Sequence, residues 1–252
     1  VSAGATLVGA ATPSSTVTDA LLFNSLVQCT VFGISSHIGS AMSSFISSFS
    51  PRFGANNIEM GGMLGLNAGD ETGIPYGIWG NYSYTDFEND LSSTAIDGTS
   101  HGFLGGIDFR VGTATILGVA LGYDNSDIDT GFNNGNQNTD TITIAPYFGS
   151  VLNDTLSVDF SVGYSNVGYD QYRTAGTSRI TSSPNADRWF GSFNLNGIKF
   201  IDNWIIGGRV GALFASSVIN GYTESDGTAV AASRTRVSTV SVAGDLAYSM
   251  QE

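Results

Sequence analysis

The sequence predicts an all-β fold, a transmembrane antiparallel up-and-down β-barrel with an N-terminal α-helix in its lumen. Two patterns lead to this prediction. From residue 76 onward apolar side chains tend to occupy every second position, and short turns alternate with long polar connections. The third observation is the composition, because only 12% of the residues are charged and 33 are glycine, which is unusual for a soluble domain.

Composition excludes several classes of protein. No apolar run approaches the roughly 20 residues that a membrane-spanning helix needs, and 15 Phe, 10 Tyr and 3 Trp are too many aromatic residues for a disordered chain. The net charge of -13 argues against nucleic acid or anionic lipid as a partner. Cys29 is the single cysteine, so no disulfide forms within the chain.

The strand pattern is clearest from Leu156 to Tyr164, where Leu, Val, Phe, Val and Tyr alternate with Ser, Asp, Ser and Gly. One face of such a strand is apolar and the other is polar or small. Segments of this kind predict eight strands. They lie at about 76–86, 101–111, 114–126, 139–151, 155–169, 187–200, 203–218 and 234–248.

The connections between these strands alternate in length. Residues 111–113, 152–154 and 201–203 are predicted tight turns. Long polar loops are predicted at 87–100, 127–138, 170–186 and 219–233. Short turns at one end and long loops at the other are typical of outer-membrane barrels, in which the long loops face outward.

The first 75 residues have a different pattern. Residues 1–18 are uncharged and small, as in a linker, and residues 19–50 have apolar residues at helical spacing, with Thr18 as N-cap and Pro51 as stop. Residues 51–75 would then connect this helix to a barrel at 76–252. The uncharged polar side of the helix predicts a polar interior as its surroundings. Its predicted plug residues are Asn24, Gln28, Ser35, His37 and Ser43.

Aromatic residues near the strand ends predict belts at the two membrane interfaces. The predicted girdle comprises Trp79, Tyr84, Tyr123, Tyr147, Tyr164, Trp189, Trp204 and Tyr248. A soluble β-sandwich is the alternative, but a sandwich needs a second apolar face to meet the first. With lipid in that role every backbone group must be paired, so the sheet is expected to close.

Charged and amide side chains fall on the polar face of the predicted strands. We expect some of them to line the pore and to contact the serine-rich face of the helix, or else only to balance one another's charge in a hydrated lumen. They are Asp108, Arg110, Asp159, Asn194, Arg209 and Asp245.

No pattern indicates catalysis, and no cofactor or metal is expected. His37 and His101 form no triad pattern with a serine nucleophile. Asp124, Asp127 and Asp129 resemble part of a calcium loop without its final glutamate, and a solvated acidic loop is the favoured interpretation.

Several segments resemble the autotransporter β-domain, the translocator of type V secretion. They are 65–70 (GLNAGD), 77–84 (GIWGNYSY), 106–110 (GIDFR), 117–123 (LGVALGY), 159–164 (DFSVGY) and 207–211 (GGRVG). The resemblance implies a twelve-stranded barrel whose pore holds an N-terminal helix linked to a secreted passenger. In that family some members release the passenger by attack of an Asn side chain. Asn56 and Asn57 lie outside the helix and are poor candidates, and Asn24 is a slightly better one.

The sequence departs from the family pattern after residue 248, where no terminal aromatic residue follows Tyr248. An eight-stranded closed barrel leaves room only for side chains, whereas a helix needs about 10–12 Å. We therefore expect about four further strands. The alternative is a closed eight-stranded barrel with the helix outside it.

The expected function is translocation or anchoring of an N-terminal passenger at the surface of the bacterial outer membrane. Expected partners are outer-membrane lipid, the barrel-assembly machinery and the protein's own passenger, with no nucleic acid. A passenger-free porin-like channel and a surface adhesin with binding loops are the alternatives.

Overall fold

The computed structural model describes Val31, Ile34, Ile38, residues 76–90 and residues 95–248. The predicted linker at 1–18, the connector at 51–75 and the plug residues lie outside this part of the chain. So do Asn56 and Asn57. Within the described part, no helix is both long and apolar enough to cross a membrane.

Antiparallel strands make up most of the described chain. In chain order they are β1 (Tyr76–Asn89), β2 (Ile96–Val111), β3 (Thr115–Thr130), β4 (Gly135–Asn153), β5 (Leu156–Ala175), β6 (Ser178–Ser182), β7 (Asn185–Ile201), β8 (Trp204–Ile219), β9 (Tyr222–Thr223), β10 (Ala229–Val230) and β11 (Ser233–Tyr248). The eight long strands correspond one to one to the eight predicted strands. The short strands β6, β9 and β10 lie in segments that were predicted as loops.

The long strands form one sheet in the order β1-β2-β3-β4-β5-β7-β8-β11, with each long strand antiparallel to the next. This is the predicted up-and-down connectivity. The three predicted tight turns are present, and two of them require backbone with positive φ, at Gly112 (φ 67°) and Asp202 (φ 52°).

Three of the four predicted long loops are shorter than expected, because the strands continue into them, whereas the fourth, at 219–233, keeps nearly its predicted bounds between β8 and β11. β3 and β4, for example, pair as far as Thr130 and Gly135. The period-2 signal stops earlier because the two faces of this extension are both rich in polar residues, with Asn125 donating to Asn138 and Asp140. Cross-strand polar pairs hold a strand that apolar alternation does not reveal.

The two faces of the sheet differ as predicted. On β3, Leu121 is 60% exposed, while its neighbour Ala120 is fully buried. We call the exposed face the outer face and the buried face the inner face. Leu117 and Tyr123 share the outer face with Leu121, and Ser126 shares the inner face with Ala120. No second sheet covers the outer face within the described residues, so the sandwich alternative is wrong for this part of the chain.

The outer edges of β1 and β11 pair with no strand in the described residues. The eight strands therefore do not close on themselves there. The helical residues Val31, Ile34 and Ile38 are buried against inner-face side chains. The alternative of a closed eight-stranded barrel with its helix outside is contradicted on both points.

Candidate functional site

The inner face is the candidate functional site, and all six predicted pore-lining residues share it. Their strand positions have the same parity as the buried residues of each strand. Asp108, Asp159 and Asn194 are buried and Arg209 is half-buried. Arg110 and Asp245 are exposed, near the short-turn ends of β2 and β11. That these residues line an open pore remains a prediction.

Asp159 is the centre of a hydrogen-bond network on β5, β7 and β8. Its carboxylate is 1% exposed and accepts hydrogen bonds from Asn194 Nδ2 at 2.7 Å and from Asn196 Nδ2 at 3.1 Å. Arg209 Nε donates to Asn196 Oδ1 at 2.7 Å. The Arg209 guanidinium is thus connected to the Asp159 carboxylate through the side-chain amide of Asn196. These residues form a specific hydrogen-bond network and do not only balance one another's charge.

Replacing Asn194 with Leu should lower the free energy of unfolding by about 1.5–3 kcal/mol, because a buried carboxylate loses a hydrogen bond. Urea unfolding of the intact protein in lipid vesicles measures this change. The matched control is Asn194→Leu in an Asp159→Leu background, where no carboxylate is left unpaired and the added loss should be much smaller. Equal losses in both backgrounds would contradict the role given to Asp159.

Trp79 and Tyr147 lie on the inner face, so their assignment to the aromatic girdle is wrong. They are 4% and 3% exposed. Trp79 Nε1 donates to Tyr147 Oη at 2.7 Å, and Tyr147 Oη donates to Asp108 Oδ2 at 3.1 Å. Their rings meet edge-on, with centroids 6.1 Å apart. The prediction considered only closeness to strand ends, whereas strand parity decides which face a side chain takes.

Two glycines make room for these rings. A Cβ at Gly118 would lie 2.2 Å from Tyr147 Cζ, and a Cβ at Gly106 would lie 2.7 Å from the Trp79 ring. The rings of β1 and β4 therefore rest directly on the backbone of their neighbours β2 and β3. Gly118 pairs with Tyr147 in the strand register, so the glycine that leaves room for the Tyr147 ring lies directly beside it on the neighbouring strand.

The helical residues contact the inner face through apolar atoms. Val31, Ile34 and Ile38 follow a spacing of three and four, which places them on one side of a helix. They belong to one buried apolar cluster with inner-face residues of six strands. The inner-face members are Trp79, Leu104, Ile116, Ala120, Ala145, Tyr147, Phe190 and Ala215. The sequence predicted that the serine-rich side of the helix would meet the sheet, but the described contacts are apolar.

The other six predicted girdle residues lie on the outer face. Tyr84, Tyr123, Tyr164 and Trp189 lie toward the long hairpins, and the Tyr164 and Trp189 rings have centroids 4.8 Å apart. Trp204 and Tyr248 lie at the short turns with centroids 4.9 Å apart. His101 also lies on the outer face, with its Nδ1 2.8 Å from Tyr82 Oη, and the sequence analysis did not predict it as part of the girdle.

An apolar band separates these two levels on the outer face, and we call it the outer band. It runs along every long strand, at 76–84, 103–111, 115–123, 142–152, 156–164, 189–197, 204–214 and 240–248. Its length is close to the 9–11 residues that a tilted strand needs to cross hydrocarbon.

Comparison with known proteins decides the family. A family model described as the autotransporter β-domain matches residues 78–252. The chain belongs to the autotransporter β-domain family. No match is found among curated proteins.

Two solved structures are similar to this autotransporter β-domain. One is the β domain of the Bordetella autotransporter Brka, with a TM-score of 0.55, 14% identity, and coverage of 69% of this chain and 71% of that chain. The other is the translocator domain of the autotransporter NalP from Neisseria meningitidis, with a TM-score of 0.52, 14% identity, and coverage of 70% and 63%. Identities this low show the shared fold alone. Together with the family they establish an outer-membrane translocator barrel.

The autotransporter β-domain also has an ordered structure at its long-hairpin end. Arg173 on β5 forms a two-point ion pair with Glu224, with Nε–Oε1 at 3.0 Å and Nη2–Oε2 at 2.5 Å. These hydrogen bonds raise the pKa of Arg173. Ser225 N donates to Thr181 O, so the β8–β11 connection is fixed to the β5–β6 hairpin. The two partners are 51 positions apart in the sequence, which explains why no sequence pattern revealed this contact.

The suspected calcium ligands do not converge. Asp124 lies on the inner face, whereas Asp127 and Asp129 lie on the outer face, because they differ in strand parity. Asn136 Nδ2 donates to both Asp127 and Asp129. Among residues 76–90 and 95–248, no group of His, Cys, Asp or Glu is arranged to hold a metal ion.

Proposed function

We propose that this barrel carries an N-terminal passenger to the cell surface and anchors it there, with the long hairpins outside the cell. The observation that supports this proposal is the inner face, which carries many buried polar side chains and contacts, through an apolar cluster, a helix formed by residues N-terminal to the barrel. A polypeptide that leads from this helix toward residue 1 would leave through the lumen.

Serine, threonine and amide side chains are the commonest residues of the inner face in the half of the barrel nearer the long hairpins. Buried examples in the half nearer the long hairpins are Ser126, Thr139, Thr143, Ser165 and Ser217. Hydroxyl groups can both donate and accept hydrogen bonds, so they can satisfy the backbone of any passing sequence. Such a wall suits an unspecific polypeptide substrate better than one ligand of fixed shape.

The partners follow from the two faces. Lipid would cover the outer band, the assembly machinery would insert the strands, and the passenger would be continuous with the chain before Val1. No nucleic acid and no catalytic step enters this function. Folding of the passenger outside the cell, and not ATP, would supply the driving force, as the family resemblance implies.

Cysteine labelling tests the orientation and the passenger separately. In a Cys29→Ser background, Thr177→Cys places a thiol in the β5–β6 turn and Asp154→Cys places one in a short turn. A membrane-impermeant maleimide should label Thr177→Cys in intact cells, and Asp154→Cys only after the outer membrane is permeabilised. An epitope placed directly before Val1 should also be accessible in intact cells.

Each other outcome rejects one part of the proposal. Labelling of Asp154→Cys alone in intact cells would show that the short turns, and not the long hairpins, face outward. Labelling of Thr177→Cys with an inaccessible epitope would favour a passenger-free channel. Normal surface exposure of both, with binding of other cells that depends on the hairpins alone, would favour an adhesin.

A further inference from the structure

Charge on the outer face is divided unevenly around the sheet at the long-hairpin end. Beyond the outer band, strands β1 to β7 present carboxylates, and the one cation that they carry there among the described residues is Arg179 of β6, which is stacked on Tyr172. These outer-face acids are Asp86, Glu88, Asp97, Asp127, Asp129, Asp140, Asp170 and Asp187. On β11 the corresponding positions hold Arg234 and Arg236 instead. The net charge of -13 therefore hides a local cationic surface.

Arg236 lies in the row where the outer band ends. The strand register pairs Arg236 with Ser216 and Ser216 with Trp189. Trp189 is 58% exposed on the outer face, at the end of the apolar band of β7. Below Arg236 on β11 come Ser238 and then Val240, which is 77% exposed.

Both arginines are available to an outside ligand. They are exposed, and no hydrogen bond or ion pair to either is found among residues 76–90 and 95–248. Two residues apart on one face, their Cα atoms are about 7 Å from each other. Side chains of this length can converge on one anion and relieve their mutual repulsion, and guanidinium groups match the oxygens of a phosphate.

We propose that Arg234 and Arg236, with the hydroxyls of Ser216 and Ser238, bind the phosphate of a phosphorylated glycolipid in the outer leaflet. The lipid chains would lie on the outer band at Val240 and Val242, and the headgroup would lie at the level of Trp189. Basic surfaces next to the hydrocarbon recognise lipid headgroups in this way. The acids on β1 to β7 repel phosphate, so among the described strands the site is restricted to the β8–β11 side.

This inference rests on the proposed orientation, with the long hairpins outside. The test uses the intact protein in phosphatidylcholine bilayers, with and without diphosphoryl lipid A as the probe. Bound lipid is counted by native mass spectrometry, and affinity is measured by titration. The double variant Arg234→Gln, Arg236→Gln should bind the probe at least about tenfold more weakly than wild type, because its charge-assisted hydrogen bonds are lost.

Lys199→Gln is the matched control, since Lys199 is an exposed outer-face cation at the short-turn end of β7. It should leave binding unchanged. Equal binding by wild type and the double variant would overturn the proposal. So would displacement of the probe by millimolar inorganic phosphate, which would indicate a site for the free ion.

A second measurement needs no variant. Wild type should bind diphosphoryl lipid A more tightly than the same lipid after removal of both phosphates, and equal affinities would overturn the proposal. The labelling of Thr177→Cys described above distinguishes a failure of the proposed orientation from a failure of the proposed lipid site. A reversed barrel fails there and can still bind the probe in vitro, whereas a correctly oriented barrel without this site fails only in the titration.

Discussion

Replacing Leu121 with Arg should lower the free energy of unfolding by about 1–3 kcal/mol in a lipid bilayer, because a lipid-facing arginine costs about 2–4 kcal/mol at the midplane and less toward the interface, and Leu121 lies between the two. Leu121 is 60% exposed and lies within the outer band of β3. In a soluble sheet an exposed Leu→Arg change would cost little. Urea unfolding in phospholipid vesicles, followed by tryptophan fluorescence, measures the difference.

Thr99→Arg is the control for this substitution. Thr99 lies on the same face beyond the outer band, paired in the strand register with Asp86 and Asp127. An arginine there meets water and two carboxylates, so stability should stay the same or rise slightly. A loss for Thr99→Arg as large as that for Leu121→Arg would mean that the outer band does not mark the hydrocarbon.

The outer band is also the part of the fold that the sequence predicts best. Leu156 to Tyr164 alternate strictly because one side of each strand meets lipid and the other meets the lumen, and this contrast sets the period. Beyond the band both faces meet polar surroundings, so the contrast disappears. Residues 127–138 were therefore predicted as a loop although most of them extend β3 and β4.

The inner face was predicted only in part. Asp108 and Asp159 were placed correctly because their parity opposes that of their apolar neighbours. Parity also shows that Trp79 is out of phase with Ile78 and Tyr82, but an aromatic residue near a strand end suggested a girdle instead. The pairing of Trp79 with Tyr147 could not be foreseen, because it depends on how three strands align.

Contacts between distant segments could not be predicted from the sequence for a related reason. Arg173 and Glu224 lie in hairpins that show neither apolar alternation nor a motif, and they meet only because β5 and β8 stand two strands apart. The helix prediction for residues 19–50 agrees with the three helical residues described there. Its expected contact through the serine-rich face did not anticipate the apolar cluster that Val31, Ile34 and Ile38 form with the inner face.

Gly118→Ala should cost about 3 kcal/mol of unfolding free energy, which combines overpacking with the loss of buried hydrogen bonds. The new Cβ would lie 2.2 Å from Tyr147 Cζ and 2.4 Å from its hydroxyl oxygen. The ring cannot stay in place, and leaving would break its hydrogen bonds to Trp79 and Asp108. Unfolding in vesicles measures this loss, and Trp79 fluorescence should report the change around the indole.

Gly191→Ala is the matched control, because a Cβ there would have its nearest neighbour, the Ser161 carbonyl oxygen, at 3.8 Å. We expect no loss of stability from it. The decisive comparison places Gly118→Ala in a Tyr147→Ala background, where the space is empty and the added cost should fall close to zero. A cost for Gly118→Ala that is the same with and without the Tyr147 ring would show that the glycine serves the backbone of β3 and not the aromatic pair. The lumen wall would then owe its shape to strand geometry alone, and Trp79 and Tyr147 would merely occupy the space that this geometry leaves.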